Sequence, residues 1–171
     1  MADEESLWEK LGSDILEHPE QDRPRLEFAA RLDEQDNDEF LQASPSPRAE
    51  LIFLQVKLAQ MPPDHPEWFR IATRVRSLLI DHEKDWTPSF FRSDHVLQVV
   101  FHRGFVAKLT IQASYLIEMA RDLFDCAPIE HLDIVGMNGE DGLERVVSTL
   151  KRTDTIARVR SLAMTTYPPE W

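Results

Sequence analysis

The chain has 171 residues, 42% of them hydrophobic, and a formal net charge of −12. That length suits one domain or two small units sharing a core, and no apolar run reaches the roughly 18 residues that a membrane span requires. The acidity is uneven: residues 1–50 carry 15 acidic and 5 basic side chains, a surface that repels phosphate backbones and argues against nucleic acid as a partner.

The opening Met1-Ala2-Asp3-Glu4-Glu5-Ser6 lacks the basic and apolar stretches of a secretory signal, so the expected location is the cytoplasm. Cys126 is the one cysteine, which excludes an internal disulfide and fits a reducing compartment. Beside Pro128 at a helix end, it reads as a small buried hydrophobe.

Leu7, Trp8, Leu11 and Ile15 form one apolar stripe, which predicts a helix over 4–17. Asp3, Glu4 and Glu5 suit the positive end of its dipole, and His18-Pro19 ends it, because a residue before proline avoids the α region. A second helix begins near Asp22, with Pro24 in its first turn, and runs to Leu32. Residues 33–47 read as a long exposed loop, with a helical turn around Phe40 and Leu41. The third helix, 47–61, is apolar on two sides, through Ala49, Ile52 and Val56 and through Leu51, Leu54 and Leu58. Such a helix is a buried one. Pro62 and Pro63 break it. The fourth, 67–84, has the cleanest period, through Trp68, Ile71, Ala72, Val75, Leu78, Leu79 and His82.

From His95 the period becomes two. Residues 95–101 and 105–111 flank His102-Arg103-Gly104, the pattern of a hairpin. Then follow a helix over 114–125, a strand over 129–135, a helix over 142–152 and a strand over 158–165. Leu143, Val146, Val147 and Leu150 form a face that should cover the strands. Leu109-x-Ile111, Leu132-x-Ile134 and Leu162-x-Met164 recur at spacings of 23 and 30 residues. The first falls within the roughly 20–29 residues of a leucine-rich repeat and the second is one residue longer, and parallel strands need a crossover of about this size. The six apolar residues should then face the helices. Lys108, Thr110, His131, Asp133, Ser161, Ala163 and Thr165 should share the opposite, open face.

These residues resemble the repeat-companion domain family of myxobacterial and planctomycete proteins. The likeness lies in His18-Pro19, Pro24-Arg25-Leu26, Arg48-Ala49-Glu50-Leu51-Ile52 with Gln55, Leu78-Leu79 with His82 and Trp86, and Phe101-x-Arg103-Gly104-Phe105-Val106. It covers residues 11–165 and continues into repeat-like β-α units. Ala30-Arg31 departs from the family's Asp-Trp, and the loop over 34–47 is longer than the family's turn. The resemblance implies an architecture and an adaptor-like role, without a catalytic set. Arg25, Arg48 and Glu50 lie beside apolar stripes, so an Arg–Glu bridge is expected between the second and third helices. His82 is expected to be packed and hydrogen-bonded.

No catalytic constellation stands out. The six histidines show no metal-ligand spacing. Gly136-Met137-Asn138-Gly139-Glu140-Asp141-Gly142 lacks the Lys-Ser/Thr of a phosphate loop, and its two acids would repel phosphate. It reads as turn chemistry between a strand and a helix. No Gly-x-Ser-x-Gly elbow occurs.

The expected fold is α+β: a helical unit of about four helices over 1–90, packed on a β-hairpin and a short leucine-rich-repeat-like β-α-β-α-β solenoid over 91–171. The expected role is a non-enzymatic protein-interaction or adaptor module, with no cofactor and no metal. The alternatives are an enzyme with a dispersed site and an acidic inhibitor or nucleic-acid mimic. The expected partner is another protein, with a basic surface to meet the acidic face, rather than nucleic acid or membrane. The last strand, with Tyr167, Pro168, Pro169 and Trp171 behind it, offers an edge for strand addition or self-association.

Overall fold

The computed structural model describes residues 2–36, 46–137 and 139–165. The chain divides into two compact units, one of Met1–Trp86 with His102–Phe105, the other of Thr87–Phe101 with Val106–Trp171. With six helices and a four-stranded mixed sheet among the described residues, the fold is α+β. No helix among those residues is long and apolar enough to cross a membrane.

In the first unit, α1 (Ala2–Glu17) buries Leu11 and Ile15 and stops before buried Pro19. Helix α2 (Asp22–Asp36) carries Pro24 in its first turn, where the missing N–H costs nothing. Asp33 accepts a hydrogen bond from the Ser46 backbone N–H at 2.9 Å, and so ties the end of α2 to the start of the next helix. The predicted turn at Phe40 and Leu41 lies outside the described residues.

Helix α3 (Pro47–Gln60) buries Ala49, Leu51, Ile52, Gln55 and Val56, more than one stripe of its surface, as its two apolar faces require. Its neighbour α4 (Trp68–Trp86) buries Ile71, Val75 and Leu78 from the predicted stripe. His82 stacks on Trp86, with ring centroids 4.9 Å apart. Ala29, Ala49, Ile52 and Val56 form a core against which Leu26, Phe28, Leu32 and Phe105 pack.

The second unit contains most of the sheet and its helices. Strands β1 (Val96–His102) and β2 (Phe105–Gln112) form a hairpin, and a short 3-10 turn, Ser89–Arg92, precedes them. Arg103 (φ 50°) and Gly104 (φ 85°) both have positive φ, as the tightest two-residue hairpin turn demands. Helix α5 (Ala113–Cys126) follows, burying Leu116, Ala120, Leu123 and Phe124. Ala127, ahead of Pro128, is forced extended and ends it. Strand β3 (His131–Val135), helix α6 (Gly139–Arg152) and strand β4 (Ser161–Thr165) complete the chain order.

The strand order is β1-β2-β3-β4, with β2, β3 and β4 parallel. Leu109 pairs with Leu132 and Leu132 with Leu162, while Ile111, Ile134 and Met164 align in the same way. The spacing in the sequence thus reproduces the register of the sheet. Burial follows the register only in part. Leu109, Ile111, Leu132 and Ile134 are fully buried, but Leu162 is 37% exposed. Helices α5 and α6 each connect two neighbouring parallel strands, and among the described residues no strand lies beyond β4. Leu143 on α6 is likewise 45% exposed, while Val146 and Leu150 of the same predicted face are buried.

Candidate functional site

Two groups of polar side chains stand out. The first surrounds residues 102–105, within the helical unit. The Gly104 N–H donates to Gln55 Oε1 at 2.7 Å, and a Cβ added at Gly104 would run into Ile52. Glycine is required here twice over, by the positive φ and by the closeness of α3.

Arg25 is fully buried. It donates to the Pro19 carbonyl at 2.8 Å and the Arg103 carbonyl at 3.5 Å, and its guanidinium lies 5.1 Å from the centre of the Phe105 ring. Arg103 donates to the Glu20 carbonyl at 2.7 Å and pairs with Asp22 at 3.4 Å. Arg48 lies over both Trp86 and Phe105, at 5.1 and 5.4 Å, and burial pushes its guanidinium down to about 10. These arginines hold carbonyls and rings in place, which is structural work.

The expected Arg–Glu bridge between the second and third helices takes another form. Glu50 is bound by Arg74, with hydrogen bonds of 2.7 and 2.6 Å, so the bridge joins α3 to α4. Arg25 turns to backbone oxygens instead, because the chain reversal at Pro19 and the turn at Arg103 present carbonyls to it.

The second group is the open face of the sheet. Lys108, His131 and Ser161 align across three strands, as do Thr110, Asp133 and Ala163, and Thr165 lies opposite Val135 and Gln112. The seven described candidates therefore form one grid on strands roughly 4.8 Å apart. Those on β2 and β3 are half-buried and those on β4 are exposed. Tyr167 and Trp171 lie outside the described residues.

The grid is internally connected on one side. Lys108 Nζ lies 2.7 Å from Asp133 Oδ2, so the charges on β2 and β3 satisfy each other. Thr110 Oγ1 approaches Gln98 Oε1 at 3.5 Å, which brings β1 into the face. At its end, His95 Nδ1 meets Gln112 Oε1 at 2.8 Å, and the His95 ring stacks on Tyr115 at 5.3 Å. Tyr115 in turn donates to the Phe90 carbonyl at 3.1 Å.

Sequence reasoning did not find the pairing of Glu130 with Arg160, 2.9 Å apart. Glu130 is buried. Its N–H donates to the Ala107 carbonyl, and its own carbonyl accepts from the N–H groups of Arg160 and Ser161. The available signal was the 30-residue spacing of Leu132 and Leu162, which also separates Glu130 from Arg160.

Cys126 is exposed at the end of α5 rather than buried. Partial desolvation of its sulfur and, behind it, the carboxylates of Asp122 and Asp125 push the thiol up, away from the reactive thiolate. On the helix side of the sheet a groove of about 560 Å³ is lined by Ile117, Glu118, Arg121, Thr149, Arg152 and Asp154, with both charge signs mixed. No group of three or more His, Cys, Asp or Glu among the described residues could hold a metal ion. The open face thus carries donors, acceptors and the Lys108–Asp133 ion pair.

No family model matches the chain, and neither a curated protein nor a solved structure matches it.

Proposed function

We propose that this chain is a non-enzymatic protein-interaction module, an adaptor, that offers the open face of its parallel strands and the outer edge of β4 to another protein. One observation carries the reading. Leu162 stands in register with the fully buried Leu109 and Leu132, yet is 37% exposed on the last strand of the sheet. A strand with this register, backbone edge and half-covered leucine suits an added strand from a partner: main-chain hydrogen bonds supply affinity, and the exposed leucine supplies a contact. The polar grid beside it supplies the rim that an interface needs.

The resemblance to repeat-companion domains is part of the same proposal, since that family's expected role is adaptor-like. The acidity of residues 1–50 favours a partner with a basic surface. A cytoplasmic setting accords with the single cysteine.

The test is affinity capture from an extract of the native host, comparing the wild type with a Ser161→Arg, Ala163→Arg double variant. Both positions are exposed, and neither holds the Lys108–Asp133 pair. The expected result is a captured protein that the double variant loses at unchanged melting temperature. Equal capture by both would remove β4 and its face from the proposal.

A further inference from the structure

The other edge of the sheet differs from β4 in a way that points to a specific occupant. Strand β1 spans Val96–His102 and lies outermost in the strand order. Natural edge strands are guarded by lysine, proline, a bulging glycine or sheer shortness. This one is seven residues long and contains no Lys, Arg, Asp, Glu, Pro or Gly. Its core, Val96-Leu97-Gln98-Val99-Val100-Phe101, is rich in β-branched and aromatic residues, the composition that pairs most readily with its own kind. Four of its seven residues are exposed, with Leu97 at 55% and Val100 at 37%, while Phe101 is buried.

We infer that β1 is a self-association edge, whose occupant is the β1 of a second copy of this chain, paired antiparallel about a two-fold axis. A two-fold contact brings one patch against itself, so it tolerates no like charge at its centre. An edge with no acidic, Lys or Arg side chain from Val96 to Phe101 meets that condition. The flanks are complementary as well. Exposed Asp94 precedes the strand and His102 closes it, and antiparallel pairing brings the acidic start of each strand toward the histidine end of the other.

The unit carrying the strand is also the less charged one. Residues 87–101 and 106–171 hold eleven acids against eight bases, whereas most of the chain's net charge of −12 falls in residues 1–50. A contact of one short strand buries less than the roughly 1,000 Å² of a durable interface, so the dimer is weak and depends on concentration. This edge is distinct from the β4 surface proposed for a partner, and either reading can fail alone.

Sedimentation equilibrium over about 10 to 500 μM tests the inference on the wild type and on Leu97→Lys, Gln98→Lys and Leu162→Lys, with circular dichroism to confirm folding. The expected result is a mass rising from 19.9 kDa toward twice that value for the wild type and Leu162→Lys, and staying monomeric for the two β1 variants. Gln98→Lys keeps the test decisive if Leu97→Lys unfolds, because Gln98 is an exposed polar side chain. A wild type that stays monomeric throughout overturns the inference. So does association that survives in Gln98→Lys, or that only Leu162→Lys removes.

Discussion

Gly104 shows how much one residue can decide. Its φ of +85° is costly for any side chain, and its missing Cβ leaves room for Ile52. Gly104→Ala should cost about 1–2 kcal/mol from the backbone and about 1–3 kcal/mol more from overpacking against α3. Urea denaturation of the variant measures the sum, and a loss below 1 kcal/mol would contradict this account of the turn. The glycine was legible in the sequence as a hairpin residue. Its contact with α3 was not, because that contact joins positions 52 and 104, which no local pattern relates.

Glu50 gives a pH-dependent case. Hydrogen bonds from Arg74 hold its carboxyl below the ordinary 4.5, against the opposing effect of burial. A depressed carboxyl contributes stability above its unfolded value and loses it as pH falls through the folded one. Arg74→Gln should therefore destabilise at pH 7 by about 0.5–1 kcal/mol, in the range of a largely exposed pair. The gap from the wild type should close as pH falls below 4.5. Denaturant melts at pH 7 and pH 3 check it, and a gap unchanged at pH 3 would assign the loss to packing. The sequence marked Glu50 as a paired acid but named the wrong helix for its partner, since charge beside an apolar stripe shows that a partner is needed and not where it lies.

At the scale of elements, periodicity was a good guide and its limits are instructive. The two apolar sides of 47–61 marked α3 as buried, and the Leu-x-apolar spacing anticipated the register of β2, β3 and β4. Neither pattern reports what lies beyond the last strand. The same leucine position is fully buried on β3 and 37% exposed on β4, the outermost strand of the sheet among the described residues. Leu132→Ala should cost about 2–5 kcal/mol, as a fully buried leucine does. Leu162→Ala should cost well under half as much. Comparable losses at the two positions would contradict the uneven covering.

Glu130 and Arg160 make a similar point about charge. Arg160→Ala leaves a buried carboxylate without its cation at 2.9 Å. The expected loss is about 1–3 kcal/mol, reduced from the cost of a fully buried pair because Arg160 reaches solvent. Thermal melts of Arg160→Ala and Glu130→Gln, Arg160→Ala decide it: the double variant should recover part of the loss. The pair is less legible than the apolar positions of the repeats, because each partner precedes its strand and lies outside the Leu-x-apolar pattern.

For the molecule as a whole, the fold class was readable and the role was not, and the reason is physical. Catalytic and metal sites announce themselves through residue types at fixed spacings. A flat face of Lys108, Thr110, His131, Asp133, Ser161, Ala163 and Thr165 has no such spacing beyond the alternation of a strand, so only the register assembles it. Its meaning depends on what covers it. The central claim, that this face and the β4 edge bind another protein, is tested most directly by hydrogen exchange on the captured complex. The account predicts slowed exchange at 161–165 and across 131–135 when the partner is bound. Protection confined to residues 2–36 and 46–86, with the strands unchanged, would contradict it.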